Sequence, residues 1–158
     1  MDALGKSRTY TFRVRYAETD QMGIAHHSNY FVWFEEGRSN FCRDLGLPYG
    51  EWEKNGVFMP VVEVHCRYKS PLLYDELVTM EVFPCERGAA TVTFGYHLRH
   101  EDGRLAAEGW TKHAFADAQG RLIRRETDFI RRLKELTFSD ESVSDNAASS
   151  ETAQPREH

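Results

Sequence analysis

SNYFVWFEEGRSNFCRDLG, residues 28–46, carries its apolar side chains at helical spacing. Tyr30, Trp33, Phe34, Gly37, Phe41 and Leu45 fall on one helical face, and Phe31 and Val32 widen it. Ser28 or Asn29 before the segment and Gly46 after it are residue types that close helix ends. An amphipathic surface helix shows a narrower apolar stripe. The first two turns are therefore expected to be buried on most sides, with Glu35 and Glu36 interrupting whatever wraps them.

On both sides of this helix the pattern changes to period two, the mark of half-buried strands. Upstream, RTYTFRVRY (8–16) places Tyr10, Phe12, Val14 and Tyr16 on one face and Thr11, Arg13 and Arg15 on the other. Gly23 marks a turn between this strand and the helix. Downstream, Val62, Val64, Cys66 and Tyr68 alternate with Glu63, His65, Arg67 and Lys69. A denser apolar strand follows at 76–83, then alternating strands at 90–100 and 104–116, with Asp102-Gly103 as a hairpin turn between these two. Phe129, Ile130, Leu133 and Leu136 define a short terminal helix. One sheet and one dominant apolar helix bury themselves only against each other. The expected fold is α+β, with an antiparallel sheet curled around one long central helix.

Length and composition agree with one globular domain, about residues 7–138. Of 158 residues, 41% are hydrophobic, enough for a core without metal or disulfides. Residues 139–158 hold Val143 as their only large aliphatic side chain and are expected to be a disordered acidic tail. That tail contributes −4 of the net charge of −5, leaving a body near neutrality with no basic field for nucleic acid. Cys42, Cys66 and Cys85 share no CxxC spacing, and no signal peptide is evident, so reduced thiols and a cytoplasmic location are expected. No apolar run reaches the ~20 residues of a membrane span.

The chemistry is expected in YAETDQMGIAHHSNYFVWFEE, residues 16–36. Asp20 precedes a glycine-containing loop that enters the long helix. The first N–H groups of a helix lack intrahelical partners and carry partial positive charge, which suits a developing oxyanion. A carboxylate just upstream can attack a polarised carbonyl or activate water against it. The spacing alone is more often that of a turn-forming or capping aspartate.

The same stretch resembles the signature of the 4-hydroxybenzoyl-CoA thioesterase family, and is most similar to its Tol-Pal-associated branch. Tyr16, Asp20, Gly23, His27, Asn29, Tyr30, Phe34 and Glu35 stand at matching places, and a looser resemblance runs to about residue 136. The resemblance implies the hotdog fold and hydrolysis of an acyl-CoA thioester without metal or cofactor. It implies Asp20 as general base or nucleophile and the His27 N–H as carbonyl polariser, with Tyr16 and the His27 ring lining the site. Gly23 would allow close approach of the loop, and Asn29, Tyr30 and Glu35 would support the substrate. A homodimer or homotetramer with interfacial sites is also implied. His26, Ser28 and the Gln21-Met22-Gly23 loop depart from the family pattern and leave the acyl group open.

Arg67, Lys69 and Arg87, near strand ends, are candidates for the CoA phosphates. Adjacent His26 and His27 lack the ligand spacing of a metal site. His65, His97 and His113 are expected at the surface or an interface, and Cys42 and Cys66 as small core residues. The alternative to an enzyme is a non-catalytic acyl-CoA or acyl-carrier binding module, since one fold hosts many functions.

Overall fold

A computed structural model describes residues 2–139. Of the expected tail only Ser139 falls among them; Asp140 to His158 lie outside the described residues. The elements run β1 (Arg8–Arg13), a 3-10 turn (Tyr16–Glu18), α1 (Asn29–Asp44), α2 (Tyr49–Lys54), β2 (Val61–Tyr68), β3 (Leu77–Arg87), β4 (Thr91–Arg99), β5 (Leu105–Ala114) and α3 (Asp128–Thr137). The five strands form one sheet in the order β1-β3-β4-β5-β2, with every neighbouring pair antiparallel. This is the hotdog arrangement.

Helix α1 lies across the inner face of the sheet. Phe34 stacks on Tyr96 of β4, with ring centroids 4.2 Å apart and planes within 9°. Phe41 meets Phe94 edge-on at 5.6 Å. Two glycines set this closeness. A Cβ on Gly37 would come within 2.5 Å of the Met80 side chain, and one on Gly109 would meet the Phe34 ring at 2.8 Å and the His65 carbonyl at 2.3 Å. Each aromatic side chain so buried contributes roughly 1.5–3 kcal/mol of hydrophobic stabilisation.

Several expectations are corrected. The first strand ends at Arg13, and Tyr16 leaves the sheet for the 3-10 turn, where it is 78% exposed. The first turns of α1 are covered on one side only: Phe31 and Val32 remain 36% and 53% exposed, and Glu35 and Glu36 face outward. Helix α2, absent from the periodicity reading, is anchored by Trp52, whose indole N–H donates to the Leu47 carbonyl at 2.7 Å. Strand β2 is a sheet edge, and its Val62 and Val64 stay about half exposed at 50% and 48%. Cys42 is buried as expected, while Cys66 is half-buried.

His113 is fully buried, not superficial. It ends a polar chain that starts at Arg38, a core cation 6% exposed. Arg38 donates to the hydroxyls of Tyr49, Tyr96 and Thr111 at 3.1, 3.3 and 3.5 Å. The His113 Nδ1 lies 3.4 Å from the Met59 carbonyl, which can only accept, so Nδ1 carries the proton. Its Nε2 then accepts from Thr111 at 2.8 Å, and Thr111 accepts from Tyr96 at 2.7 Å. Burial first, and the Arg38 charge second, push the His113 pKa down to about 3.

Candidate active site

Residues 14–28 cross from the sheet to α1 as a folded loop, and a residue absent from the sequence reading holds it. Glu18 is buried. Its carboxylate accepts the Arg15 N–H at 2.8 Å and the Trp33 indole N–H at 2.7 Å. Burial pushes the Glu18 carboxyl up, but these bonds and the Arg15 guanidinium outweigh it and hold the pKa below the usual carboxylate range. The Glu18 carbonyl accepts from the His26 N–H at 2.8 Å and from Asn29 Nδ2 at 2.8 Å. Asn29 is thus a latch between loop and helix, not a cap, and Ser28 spends its hydroxyl on His26 Nδ1 at 2.8 Å. Neither side chain caps α1 as the sequence suggested.

Asp20 sits at the mouth of this loop. Its N–H donates to the Ile24 carbonyl at 2.9 Å, and its carbonyl accepts from Gly23 at 3.0 Å. Gly23 closes the turn at φ 77°, a conformation that L side chains rarely adopt. Beyond its chain neighbours no atom lies within 4 Å of the Cβ that Gly23 lacks, so in this chain it serves the backbone turn. The Asp20 Oδ1 accepts from the Met22 N–H at 2.8 Å, which fixes the carboxylate.

Asp20 lines two open clefts. One, of about 650 Å³, is walled by Tyr16, Thr19, Gln21, His26 and Asn29. The other, of about 340 Å³, is walled by Ile24, His27, Tyr30, Tyr68, Lys69 and Ser70. Tyr16 packs edge-on against Tyr74 at 5.6 Å. Tyr30 is buried, and burial raises its pKa to about 12, so it presents a neutral phenol. The Tyr68 hydroxyl donates to the His27 carbonyl at 2.9 Å and ties β2 to the start of α1. No acceptor among the described residues takes the His27 N–H, which is open to solvent or a ligand.

The structure therefore gathers Tyr16, Asp20, Gly23, His27, Asn29, Tyr30 and Lys69 of the expected site. It does not bring the remaining three there. Glu35 is exposed on α1 and lines neither cleft. Arg67 faces a shallow hollow of about 190 Å³ on the outer face of the sheet, beside Trp110. Arg87 ends β3 at the far end of the sheet, its guanidinium 5.9 Å from the Phe138 ring centroid. Tyr68 and Ser70 were missed, because only the folded sheet brings the end of β2 and the segment after it to the loop. Among the described residues no three His, Cys, Asp or Glu side chains gather as a metal site.

A carboxylate fixed at the edge of a cleft, near an unpartnered N–H at a helix start, is an arrangement for acyl transfer. A family model described as the thioesterase-like superfamily matches residues 14–147, and the chain belongs to that superfamily. Among its relatives, the protein named "Putative acyl-CoA thioesterase YneP" of Bacillus subtilis is 41% identical over 106 residues, 67% of this chain and 77% of its own. The hypothetical protein TT1821 of Thermus thermophilus, known from a crystal structure, is 39% identical with a TM-score of 0.74, over 83% of this chain and 98% of that one. The DHNA-CoA thioesterase of Staphylococcus aureus is 28% identical with a TM-score of 0.75, over 82% and 90%.

Proposed function

We propose that this thioesterase hydrolyses an acyl-CoA thioester to the free carboxylic acid and CoA, with Asp20 as general base or nucleophile. The observation that carries the reading is the pairing of a fixed carboxylate with the unpartnered His27 N–H at the start of α1. The thioester carbonyl accepts from that N–H, which favours the charge that develops on its oxygen. Asp20 then takes a proton from attacking water, or attacks the carbonyl carbon itself, and the C–S bond breaks to release CoA. Tyr16 and the His27 ring orient the reacting groups, while Tyr30 and Tyr68 wall the acyl side of the cleft. Lys69, the basic side chain on that wall, takes the role of a CoA phosphate contact. The reaction needs no metal or further cofactor.

The apolar residues left uncovered on β2 and α1 support a homodimer, since exposed edge strands invite pairing. We place the chain near the Tol-Pal-associated branch on its 16–36 motif, and in the cytoplasm on its cysteine usage. Thiol release from a panel of short, branched, aromatic and long acyl-CoAs tests the activity. Hydrolysis of at least one class is expected; tight acyl-CoA binding with no hydrolysis of any class would leave a binding module instead.

A further inference from the structure

A second hydrogen-bonded constellation borders the Asp20 clefts and takes no part in the chemistry above. Residues 69–76 carry the chain from β2, at the sheet edge, to β3 on the far side of β4 and β5. On the way they pass the end of β4, where His100 sits. Backbone bonds fix both sides of this meeting: the Ser70 N–H donates to the Ala106 carbonyl at 3.0 Å, and the His100 N–H donates to the Arg104 carbonyl at 2.9 Å.

The His100 residue is 5% exposed. Its Nε2 lies 2.9 Å from the Ser70 hydroxyl oxygen, and its Nδ1 is hydrogen-bonded to Glu76 Oε1. The other Glu76 oxygen accepts the Leu73 N–H at 2.9 Å, so the carboxylate is held at both ends. An ionised carboxylate only accepts, so Nδ1 carries a proton, and in the neutral imidazole Nε2 accepts from Ser70. The order is hydroxyl, base, orienting carboxylate, the arrangement that activates a serine nucleophile. Ser70 opens onto the 340 Å³ cleft and onto a neighbouring one of about 410 Å³ walled by Leu73, Tyr74 and Arg104. Lys69 borders the first and Arg104 the second, each paired with a carboxylate of its own, Glu108 at 3.8 Å and Asp102 at 2.7 Å.

We propose that Ser70, His100 and Glu76 form a second acyl-accepting centre, acting on small activated esters that enter these clefts. The Ser70 oxygen adds to the ester carbonyl while its proton passes to His100 Nε2. The bond to the leaving oxygen breaks, and His100 returns the proton to it, giving an alcohol or phenol and an acyl-Ser70 ester. Water adds to that ester and gives its proton to His100. The bond to Ser70 breaks, and the proton returns to the serine oxygen as the carboxylic acid leaves. Glu76 is a positioning residue that keeps His100 in the required tautomer. None of these steps uses Asp20, so the centre stands or falls apart from the thioesterase mechanism.

The test uses the full chain carrying Asp20→Asn, a fluorophosphonate probe with peptide mass spectrometry, and p-nitrophenyl acetate. A phosphonyl adduct on Ser70 is expected. Ester hydrolysis should persist in Asp20→Asn and fall at least about a hundredfold when Ser70→Ala is added, the low end of what an activating base supplies. Ser70→Cys tests whether His100 activates an atom at that position. Beside His100 the new thiol should react with iodoacetamide at a pH well below the ordinary thiol range near 8.5. Absence of a Ser70 adduct, ester hydrolysis unchanged by Ser70→Ala, or an ordinary thiol profile for Ser70→Cys would each overturn the proposal.

Discussion

Replacing Glu18 with alanine should loosen the loop that positions Asp20, and the structure gives the size of the effect. The Trp33 indole N–H, on a residue 2% exposed, would lose the Glu18 oxygen at 2.7 Å and find no water in its place. An orphaned buried donor costs about 1–3 kcal/mol. The Arg15 N–H lies nearer the surface and rehydrates, adding about 0.5–1 kcal/mol. Together the loss is about 2–4 kcal/mol, a fall in Tm of roughly 4–16 °C for a chain of this size. Urea denaturation at one fixed protein concentration reads it. In Trp33→Phe the orphaned donor is gone, so Glu18→Ala should cost at least ~1 kcal/mol less there than in the wild type. A Glu18→Ala protein within ~0.5 kcal/mol of wild type, or a double-mutant cycle with no coupling, would refute the assigned role.

Gly109→Ala forces a Cβ to within 2.3 Å of a backbone carbonyl and against Phe34, and should destabilise by about 3 kcal/mol in urea titration. Because the His113 pKa is lowered in the folded chain to about 3, the unfolded chain binds the extra proton between its ordinary 6.5 and 3. Stability should therefore fall on acidification through that window, by up to about 5 kcal/mol, and His113→Gln should flatten the loss in denaturation curves taken from pH 7 to pH 4. Tyr68→Phe removes the bond to the His27 carbonyl and should lower kcat/KM for thiol release by roughly 2–10-fold with little change in Tm.

The central helix was legible because Tyr30, Trp33, Phe34 and Phe41 repeat at helical spacing, and a sheet was the only partner left for that face. The alternation in 61–68 was also legible, but it says which side chains share a face and not whether anything covers them. Val62 and Val64 stay exposed because β2 is an edge, a property of strand order rather than of local pattern. Arg38 and His113 have the composition of surface residues; their burial depends on Tyr96, Thr111 and the Met59 carbonyl, distant in sequence from one or both of them. At the site, Asp20 and His27 were found through one contiguous motif. Glu18 within that motif was overlooked, since nothing local distinguishes a buried acid from a solvated one. Ser70, Glu76 and His100 were invisible for another reason: only the crossover from β2 to β3 brings them together.

Thiol release by Asp20→Asn at saturating acyl-CoA, measured beside acyl-CoA affinity in the same protein, tests the central claim most directly. The substitution keeps the size of the side chain and an acceptor for the Met22 N–H. Binding should change little, while kcat should fall by at least about 10²–10⁴-fold, the usual contribution of a general base. Full turnover in Asp20→Asn, with binding intact, would contradict the assignment of Asp20 as the catalytic carboxylate.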